Sequence, residues 1–322
     1  MKIDDEIWVS VDSTLYIITG FTAVGKTRLS LDWAKANEAE IISCDSLLFY
    51  QGMDIGTAKP TAEEMEEVPH HLIDMVPPSR QYSIDEYLRQ VRETVVDIHR
   101  RGKRVLVVGG SGFYLNAFFA PVVDHLRLDP EVEAEITDRF DHQPLEDSVA
   151  ELLKLNPEGL GDLDIENPRR VIKAWLRCVA AGKPLKDVLE DFKKLPGSFD
   201  HYDRQLLVLS RPKEELEERV KLRVDQMIEA GLIEEVRGLI AQGILDNPSA
   251  AGAIGYRETI SFLKGELSEP ELAPLISQNT RRLLKKQRTW FKKFLPADAL
   301  FDVSGATSLP ARWHEVRRRT DT

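Results

Sequence analysis

Residues 20–27 form the segment of this chain whose composition points most directly to chemistry. They fit the pattern G-x-x-x-x-G-K-[ST], and the members are Gly20, Phe21, Thr22, Ala23, Val24, Gly25, Lys26 and Thr27. A turn of this kind aims backbone N–H groups at an anion, and the following helix N-terminus adds partial positive charge. Lys26 is expected to reach the terminal phosphates and Thr27 to hold Mg²⁺. Taken alone, this phosphate loop predicts a bound diphosphate or triphosphate, such as ATP or GTP, and it leaves the reaction open.

The elements around the phosphate loop alternate as is typical of an α/β protein. Short apolar strands are predicted at residues 15–19, 40–44, 104–108 and 204–209, and a helix is predicted at residues 28–37. Ser83 and Glu86 have the spacing of a capping box and start a helix that runs to about Arg101. This order predicts a P-loop NTPase-like parallel sheet flanked by helices.

An acidic, mainly helical stretch interrupts this pattern. Residues 124–200 contain no predicted buried strand and are interpreted as a helical insertion domain, while residues 1–123 and 201–322 form the core. The strand at residues 204–209 is expected to be the last of the sheet, and Pro212 starts the C-terminal helices. The tail after Leu295 is expected to be loosely ordered.

Composition narrows the functional classes. The net charge of −11, from 54 acidic and 43 basic residues, argues against a wholly basic nucleic-acid-binding protein but allows a local basic face. The two cysteines, Cys44 and Cys178, indicate neither a disulfide framework nor a zinc site. The N-terminus lacks the layout of a signal peptide, and no apolar run approaches a membrane span. These features predict a cytoplasmic protein without a membrane partner.

Two loops at strand ends bear on the chemistry. The strand at residues 104–108 ends in Gly-Gly-Ser-Gly without the acidic residue that orders Mg²⁺ and water in hydrolytic P-loop proteins. The strand at residues 40–44 is followed by Asp45. Because ligands bind at the carboxyl ends of parallel strands, Asp45, Ser111 and the phosphate loop are expected to share one opening. Asp45 is then a Mg²⁺ ligand or a general base, although its spacing alone slightly favours a simple turn aspartate.

Three further polar clusters have competing interpretations. Arg219 and Arg223 lie one helical turn apart, and their acidic neighbours favour a solvated, salt-bridged helix over a guanidinium clamp on phosphate. The pair His70 and His71 is better explained by packing or exposure than by a metal site. Residues 54–60 are dense in turn formers and are interpreted as an ordinary loop.

Residues 281–293 contain seven basic residues and no acid, with Trp290 and Phe291 embedded among them. Such a run predicts contact with the backbone phosphates of a polyanion, and RNA in particular. In helical spacing Leu284, Gln287 and Phe291 share one face, which favours core packing for that face.

Seven motifs spread between residues 15 and 294 resemble the tRNA dimethylallyltransferase (tRNA isopentenyltransferase, IPP transferase) family in its bacterial form. They are ISCDS at residues 42–46, YQGMDIGTAKP at 50–60, PHHLID at 69–74, VVGGSGFY at 107–114, NPRR at 167–170, AIGYRE at 253–258 and KQRTWF at 286–291. Their order and length make a chance match implausible.

The resemblance implies group transfer instead of hydrolysis. Family members move a dimethylallyl group from dimethylallyl diphosphate to N6 of adenosine 37, in the anticodon stem-loop of tRNAs that read codons beginning with U. Asp45 would be the general base, Ser111 would lie near the adenine, and Lys26, Thr27, Mg²⁺ and Arg223 would stabilise the leaving diphosphate, with Arg219 as a further ligand. A monomer is expected.

The resemblance also assigns contacts with tRNA. They are Asp45, Ser46, Leu47 and Leu48; Ser111; Arg169, Arg170, Val171, Ile172 and Lys173; Gly252, Ala253, Ile254, Gly255, Tyr256 and Arg257; and Lys285, Lys286, Gln287, Arg288, Thr289, Trp290, Phe291 and Lys292.

Three positions depart from the family pattern. Phe21 replaces a proline and is expected to leave the phosphate loop less rigid. Glu133 replaces an arginine and would repel phosphate, while Lys286 replaces an arginine and loses its two-pronged hydrogen bonding. The alternatives are an adenylate isopentenyltransferase, a small-molecule P-loop kinase and a non-catalytic RNA-binding protein. The basic run counts against an adenylate isopentenyltransferase, and the absence of adenine-recognition residues counts against a kinase. The intact Lys26, Thr27 and Asp45 count against a non-catalytic protein.

Overall fold

The computed structural model describes residues 14–124 and 126–317. The N-terminal segment that bears on a signal peptide and the last residues of the basic C-terminus lie outside these ranges. The chain divides into two compact units. One comprises the residues up to Phe119 and from Ser198 onward, and the other is Ala120–Gly197.

A single sheet organises the larger unit. Its strands are β1 (Thr14–Gly20), β2 (Ala39–Ser43), β3 (His70–His71), β4 (Arg104–Val108), β5 (Asp203–Ser210), β6 (Leu300–Asp302) and β7 (His314–Val316). The spatial order is β3-β2-β4-β1-β5-β6, all of these pairs are parallel, and β7 pairs antiparallel with β5. The prediction of a parallel α/β sheet is confirmed.

Helices of this unit cover the sheet. They are α1 (Lys26–Ala36), α2 (Ala62–Glu67), α3 (Ile84–Arg100), α4 (Gly112–Asn116), α9 (Lys213–Glu229), α10 (Leu232–Ala241), α11 (Pro248–Ala251), α12 (Tyr256–Leu263) and α13 (Glu269–Phe294). The predicted capping box starts α3, since Ser83 and Glu86 satisfy each other's backbone N–H groups. Within the described ranges, none of the helices is long and apolar enough to cross a membrane.

The core lies between the sheet and these helices. All five residues of β2 are buried, and so are the centres of β1, β4 and β5. Strands covered on both faces need continuous apolar sequence, which is why these segments are recognisable without alternation. His71 of the edge strand β3 lies 2.7 Å from the carboxylate of Glu40, and His70 from the carbonyl of Val68 by the same distance. Both histidines therefore have structural partners.

Four helices and the turns between them make up the smaller unit, and its described residues form no strand. It contains α5 (Pro130–His142), α6 (Leu145–Lys154), α7 (Pro168–Ala181) and α8 (Leu185–Lys194). Leu152, Val171 and Trp175 form its core. The buried amide of Asn156 donates to the carbonyl of Leu152 and accepts from the backbone N–H of Leu185, tying α6 to the start of α8.

The tail after Leu295 differs from its prediction. Residues 300–302 and 314–316 form β6 and β7, which pair with the two ends of β5 along the edge that β1 leaves open, and Val303 is fully buried. The strand at residues 204–209 is therefore not the last of the sheet. Each added strand has only three residues, too short to produce a periodic signal in the sequence.

The strands β1, β2 and β4 end close together at the edge of the sheet where the loops emerge. The N–H of Cys44 donates to the carbonyl of Val108 at 2.7 Å, and the N–H of Gly109 donates to that of Ile18 at 3.2 Å. A side chain at Gly109 would overlap the carbonyl of Cys44. Glycine is therefore required for the ends of β2, β4 and β1 to meet.

We expect Gly109→Ala to lower the free energy of unfolding by about 3 kcal/mol, because the new methyl group displaces backbone, not a flexible side chain. Gly238→Ala in α10 is the matched control. Its added methyl group meets no atom within 4 Å, so alanine's helix propensity should raise stability by about 1 kcal/mol. Urea denaturation of both variants tests this; equal effects would contradict the close approach.

Candidate active site

Four loops meet at the carboxyl edge of the sheet. The phosphate loop follows β1, Asp45 follows β2, residues 109–112 (the Gly-Ser loop) follow β4, and Arg211 follows β5. These strands are adjacent and parallel, so their carboxyl ends lie side by side. The strand order thus supports the prediction that Asp45, Ser111 and the phosphate loop share one opening.

Lys26 opens α1 with its ammonium turned back onto the phosphate loop. Its Nζ donates to the carbonyls of Gly20 and Phe21, each at 2.9 Å. Burial lowers the pKa of Lys26 to about 8; the carboxylate of Asp45 opposes this shift and the guanidinium of Arg223 adds to it. A lysine in this state is charged at neutral pH and incompletely solvated, which suits it to bind an anion.

Asp45 shapes a turn and also lies close enough to the cations of the site to affect their charge. Its Oδ1 accepts the backbone N–H of Leu47 at 3.1 Å, so it shapes the turn after β2. Its charge also raises the pKa values of both Lys26 and Arg223, against the effect of their burial. Asp45 is therefore the acidic group in this cluster of cations, and one of its oxygens has a backbone partner.

Guanidinium groups surround the phosphate loop. Nε of Arg219 donates to the carbonyl of Ala23 at 2.7 Å, and Nε of Arg211 donates to that of Val24 at 2.8 Å. One terminal nitrogen of each lies within 4 Å of the position that a Cβ of Gly25 would occupy. Arg219 is exposed, as the solvated helix interpretation expected, and it also contacts the phosphate loop, so the clamp on phosphate stays a prediction.

Arg211 was not identified from the sequence. The available signal was its place directly after a predicted strand of the parallel sheet. Glu215 pairs with its guanidinium and also accepts the hydroxyl of Ser304 at 2.9 Å. The segment after β6 thus supports Arg211.

Residues 54–60 are held more firmly than an ordinary loop. The carboxylate of Glu235 accepts three successive backbone N–H groups, those of Asp54, Ile55 and Gly56, and also the hydroxyl of Tyr256 at 2.7 Å. Arg223 donates to the carbonyl of Thr57 at 3.0 Å. The anchored loop therefore positions Arg223, which burial would otherwise disfavour in its charged form.

Helix α13 presents two different faces. Leu284, Gln287 and Phe291 are buried, as their spacing predicted. The predicted RNA contacts Lys285, Lys286, Arg288, Thr289 and Lys292 are exposed, and the four cations among them are named the basic face of α13. Trp290 is half-buried, and its ring lies 2.8 Å from the position that a Cβ of Gly112 would occupy, beside Ser111.

Phe21, which stands where the family pattern has a proline, makes packing contacts outside the phosphate loop. Its ring is buried, packs edge-on against Phe291 at 5.1 Å between centroids, and lies 5.9 Å from the guanidinium of Arg288. The aromatic ring thus joins the loop to α13, a contact that proline's smaller ring makes less extensively.

The remaining predicted RNA contacts differ in exposure. Ser46, Leu47 and Leu48 are half-buried after β2. In the turn before α12, Gly252 and Arg257 are exposed while Ala253, Gly255 and Tyr256 are buried. On α7 of the smaller unit, Arg169, Arg170 and Lys173 are exposed, Ile172 is partly buried, and Val171 belongs to that unit's core. The departure Glu133 is exposed on α5.

The oxygen donors near the phosphate loop suit a hard divalent cation. Thr27 provides a hydroxyl in the first turn of α1, and Asp45 provides a carboxylate. Among the described residues, no group of three His, Cys, Asp or Glu side chains could by itself enclose a metal ion. Mg²⁺ commonly binds with few protein ligands and completes its shell with substrate phosphates and water, so these residues fit it.

The chain matches the family model IPP transferase over residues 48–294. The chain belongs to the IPP transferase family. This confirms the resemblance that the sequence motifs carried, and it makes the protein a transferase.

Named relatives cover nearly all of the chain. A tRNA dimethylallyltransferase of Opitutus terrae is 50% identical over 90% of this chain and 93% of its own length. The tRNA isopentenylpyrophosphate transferase of Bacillus halodurans superimposes with a TM-score of 0.64 at 34% identity, over 91% of each chain. A eukaryotic dimethylallyltransferase acting on tRNA gives a TM-score of 0.75 at 27% identity, over 90% of this chain and 74% of its own.

Binding of inorganic pyrophosphate should weaken as pH rises through about 8, because Lys26 loses its charge there. The Lys26→Arg variant is the control, since a guanidinium stays charged and the titration of pyrophosphate itself affects both proteins equally. Calorimetry without Mg²⁺ between pH 7 and 9.5 should show a steeper loss for the wild type. Parallel curves would exclude Lys26 as the titrating ligand.

Proposed function

We propose that this chain transfers a dimethylallyl group from dimethylallyl diphosphate to N6 of adenosine 37 in the anticodon stem-loop of tRNA. The observation that carries the proposal is one carboxylate, Asp45, whose charge acts on Lys26 of the phosphate loop and on Arg223, next to a Gly-Ser loop that contains no acid. A hydrolytic site would need an acid there. The family assignment and the relatives named for this activity support the same reaction.

The phosphate loop would bind the diphosphate of the donor. As the C1–O bond breaks, its electron pair leaves with the diphosphate, and Lys26, Arg219 and Arg223 stabilise the charge that develops there. Arg211, already bonded to the loop, would add to this field. Mg²⁺, held by the hydroxyl of Thr27 and diphosphate oxygens, would neutralise part of the same charge.

Asp45 would act on the acceptor. The N6 amine of adenine is a weak nucleophile because its lone pair is conjugated with the ring. When the N6–C1 bond forms, one N6 proton must leave, and Asp45 is the carboxylate placed to accept it. Ser111 at the start of α4 would orient the base, which must first leave the anticodon stack at a cost of a few kcal/mol.

The exposed cations would hold the RNA. The basic face of α13 runs alongside the Gly-Ser loop, since Trp290 of the same helix packs against Gly112. This arrangement would bring backbone phosphates close to the opening where the base enters. Arg257, and Arg169, Arg170 and Lys173 of the smaller unit, are exposed candidates for further phosphate contacts.

A labelled donor tests the reaction directly. The purified protein is incubated with labelled dimethylallyl diphosphate and Mg²⁺, together with either tRNA unmodified at position 37 or AMP. Label in tRNA is the expected result. Label in AMP would indicate a free-nucleotide prenyltransferase, and no label in either, with ATP consumed instead, would overturn prenyl transfer altogether.

Asp45→Asn should reduce the transfer rate by a factor of about 10² to 10⁴ and leave tRNA affinity nearly unchanged, because the amide cannot accept the proton. Asp225→Asn, at an exposed position of α9, is the control and should retain full activity. Single-turnover transfer and filter binding are the two measurements. Loss of tRNA binding in Asp45→Asn would mean that Asp45 positions the base without removing its proton.

Replacing Lys285, Lys286 and Arg288 together by Ala should weaken tRNA binding and flatten its salt dependence, by a slope of up to about 2 in log K against log salt. The control replaces Lys213, Lys221 and Arg237, exposed cations of α9 and α10, and should leave the slope unchanged. Equal slopes for both triple variants would place the RNA elsewhere.

A further inference from the structure

The side chain of Gln287 points inward from the basic face of α13. It is 8% exposed, although its neighbours Lys286 and Arg288 are open to solvent. Its Oε1 accepts the backbone N–H of Thr22 at 3.0 Å, and its Nε2 donates to the carbonyl of Gly110 at 3.2 Å. One amide group thus joins the phosphate loop to the Gly-Ser loop.

The surroundings of Gly110 show how tightly this bridge is placed. A Cβ at Gly110 would lie 3.3 Å from Nε2 of Gln287, 3.3 Å from the carbonyl oxygen of Gly20 and 3.4 Å from Nζ of Lys26. The amide, the ammonium and the loop backbone therefore converge at one point. A primary amide suits this point, because it supplies one acceptor and one donor without adding charge beside an anion site.

A second contact holds the neighbouring residue of the phosphate loop. Phe21 packs on Phe291, which lies one helical turn after Gln287. Consecutive residues of the loop, Phe21 and Thr22, are therefore fixed by residues four apart on one helix. Because the N–H of Thr22 already has a partner, the shape of the loop is set from α13 as well as by its own sequence.

We infer that Gln287 is a positioning residue that sets the distance between the phosphate loop and the Gly-Ser loop. This rests on the proposed function: Gln287 aligns the donor diphosphate with the acceptor base. It is then not the tRNA contact that the family resemblance implied. It acts through Thr22 and Gly110.

The test compares Gln287→Met with Gln278→Met. Gln278 is exposed on the same helix, so it controls for the chemical change alone. Gln287→Met should weaken inorganic pyrophosphate binding at least about tenfold, because both hydrogen bonds of the amide are lost. It should raise KM for dimethylallyl diphosphate similarly, lower kcat, and keep the Kd for tRNA within about twofold. Gln278→Met should match the wild type in all four.

The Gln287→Glu variant distinguishes a positioning role from a mere loss of helix packing, through its affinity for pyrophosphate. It retains an acceptor for Thr22, loses the donor to Gly110 and places a negative charge beside Lys26. Pyrophosphate binding should therefore fall further than in Gln287→Met, and by more at low salt than at high salt.

Three outcomes would overturn the inference. Weaker tRNA binding with unchanged pyrophosphate binding would make Gln287 an RNA contact. An equal loss of both affinities, with a lower Tm, would reduce it to a packing residue, as would equal pyrophosphate affinities of the Glu and Met variants. Failure of the proposed function is seen separately, as absence of prenyl transfer by the wild type, and the pyrophosphate comparison is still decisive for Gln287.

Discussion

The half-buried ammonium of Lys26 is the group on which the rest of the site depends. Two backbone carbonyls of the phosphate loop accept its protons, and three guanidinium groups, those of Arg211, Arg219 and Arg223, lie around the same opening. Burial lowers the pKa values of both Lys26 and Arg223, and repulsion from Arg223 adds to the shift of Lys26. A bound diphosphate would relieve that repulsion, whereas Asp45 alone offsets only part of it. Binding at this site is therefore most favourable for an anion that carries several charges, as a leaving diphosphate does.

The surrounding elements hold this cluster in place. Glycine at position 109 lets the ends of the central strands meet, so that the loops after them share one edge. Glu235 fixes residues 54–60 through backbone N–H groups, and that loop in turn receives Arg223. Helix α13 contributes on both of its faces, because Gln287 and Phe291 grip the phosphate loop from inside while the cations stay in solvent. The anchors of Lys26, Arg219 and Arg223 are backbone carbonyls, and Glu215 is the carboxylate that pairs with Arg211.

Much of this could be predicted from local sequence, and the exceptions share a physical cause. The buried strands, the capping box of α3 and the inward face of α13 each follow from periodicity or spacing within one element. Strands β6 and β7 were missed because three residues carry no period, and because they form only by pairing with β5. Arg211, Glu235 and Gln287 gain their roles from partners more than 170 residues away along the chain, which no single-element pattern encodes. The contact of Phe21 with Phe291 could not be predicted for the same reason, since the two residues lie far apart in the chain.

The central claim is that the phosphate loop holds a leaving diphosphate and not a nucleotide that is hydrolysed. Its most direct test measures released pyrophosphate and incorporated dimethylallyl groups in the same reaction, with tRNA as acceptor and no ATP or GTP present. The account predicts that the two products appear in equimolar amounts and at the same rate. Pyrophosphate released without prenylated tRNA, or a reaction that proceeds only when ATP or GTP is added and cleaved, would contradict it.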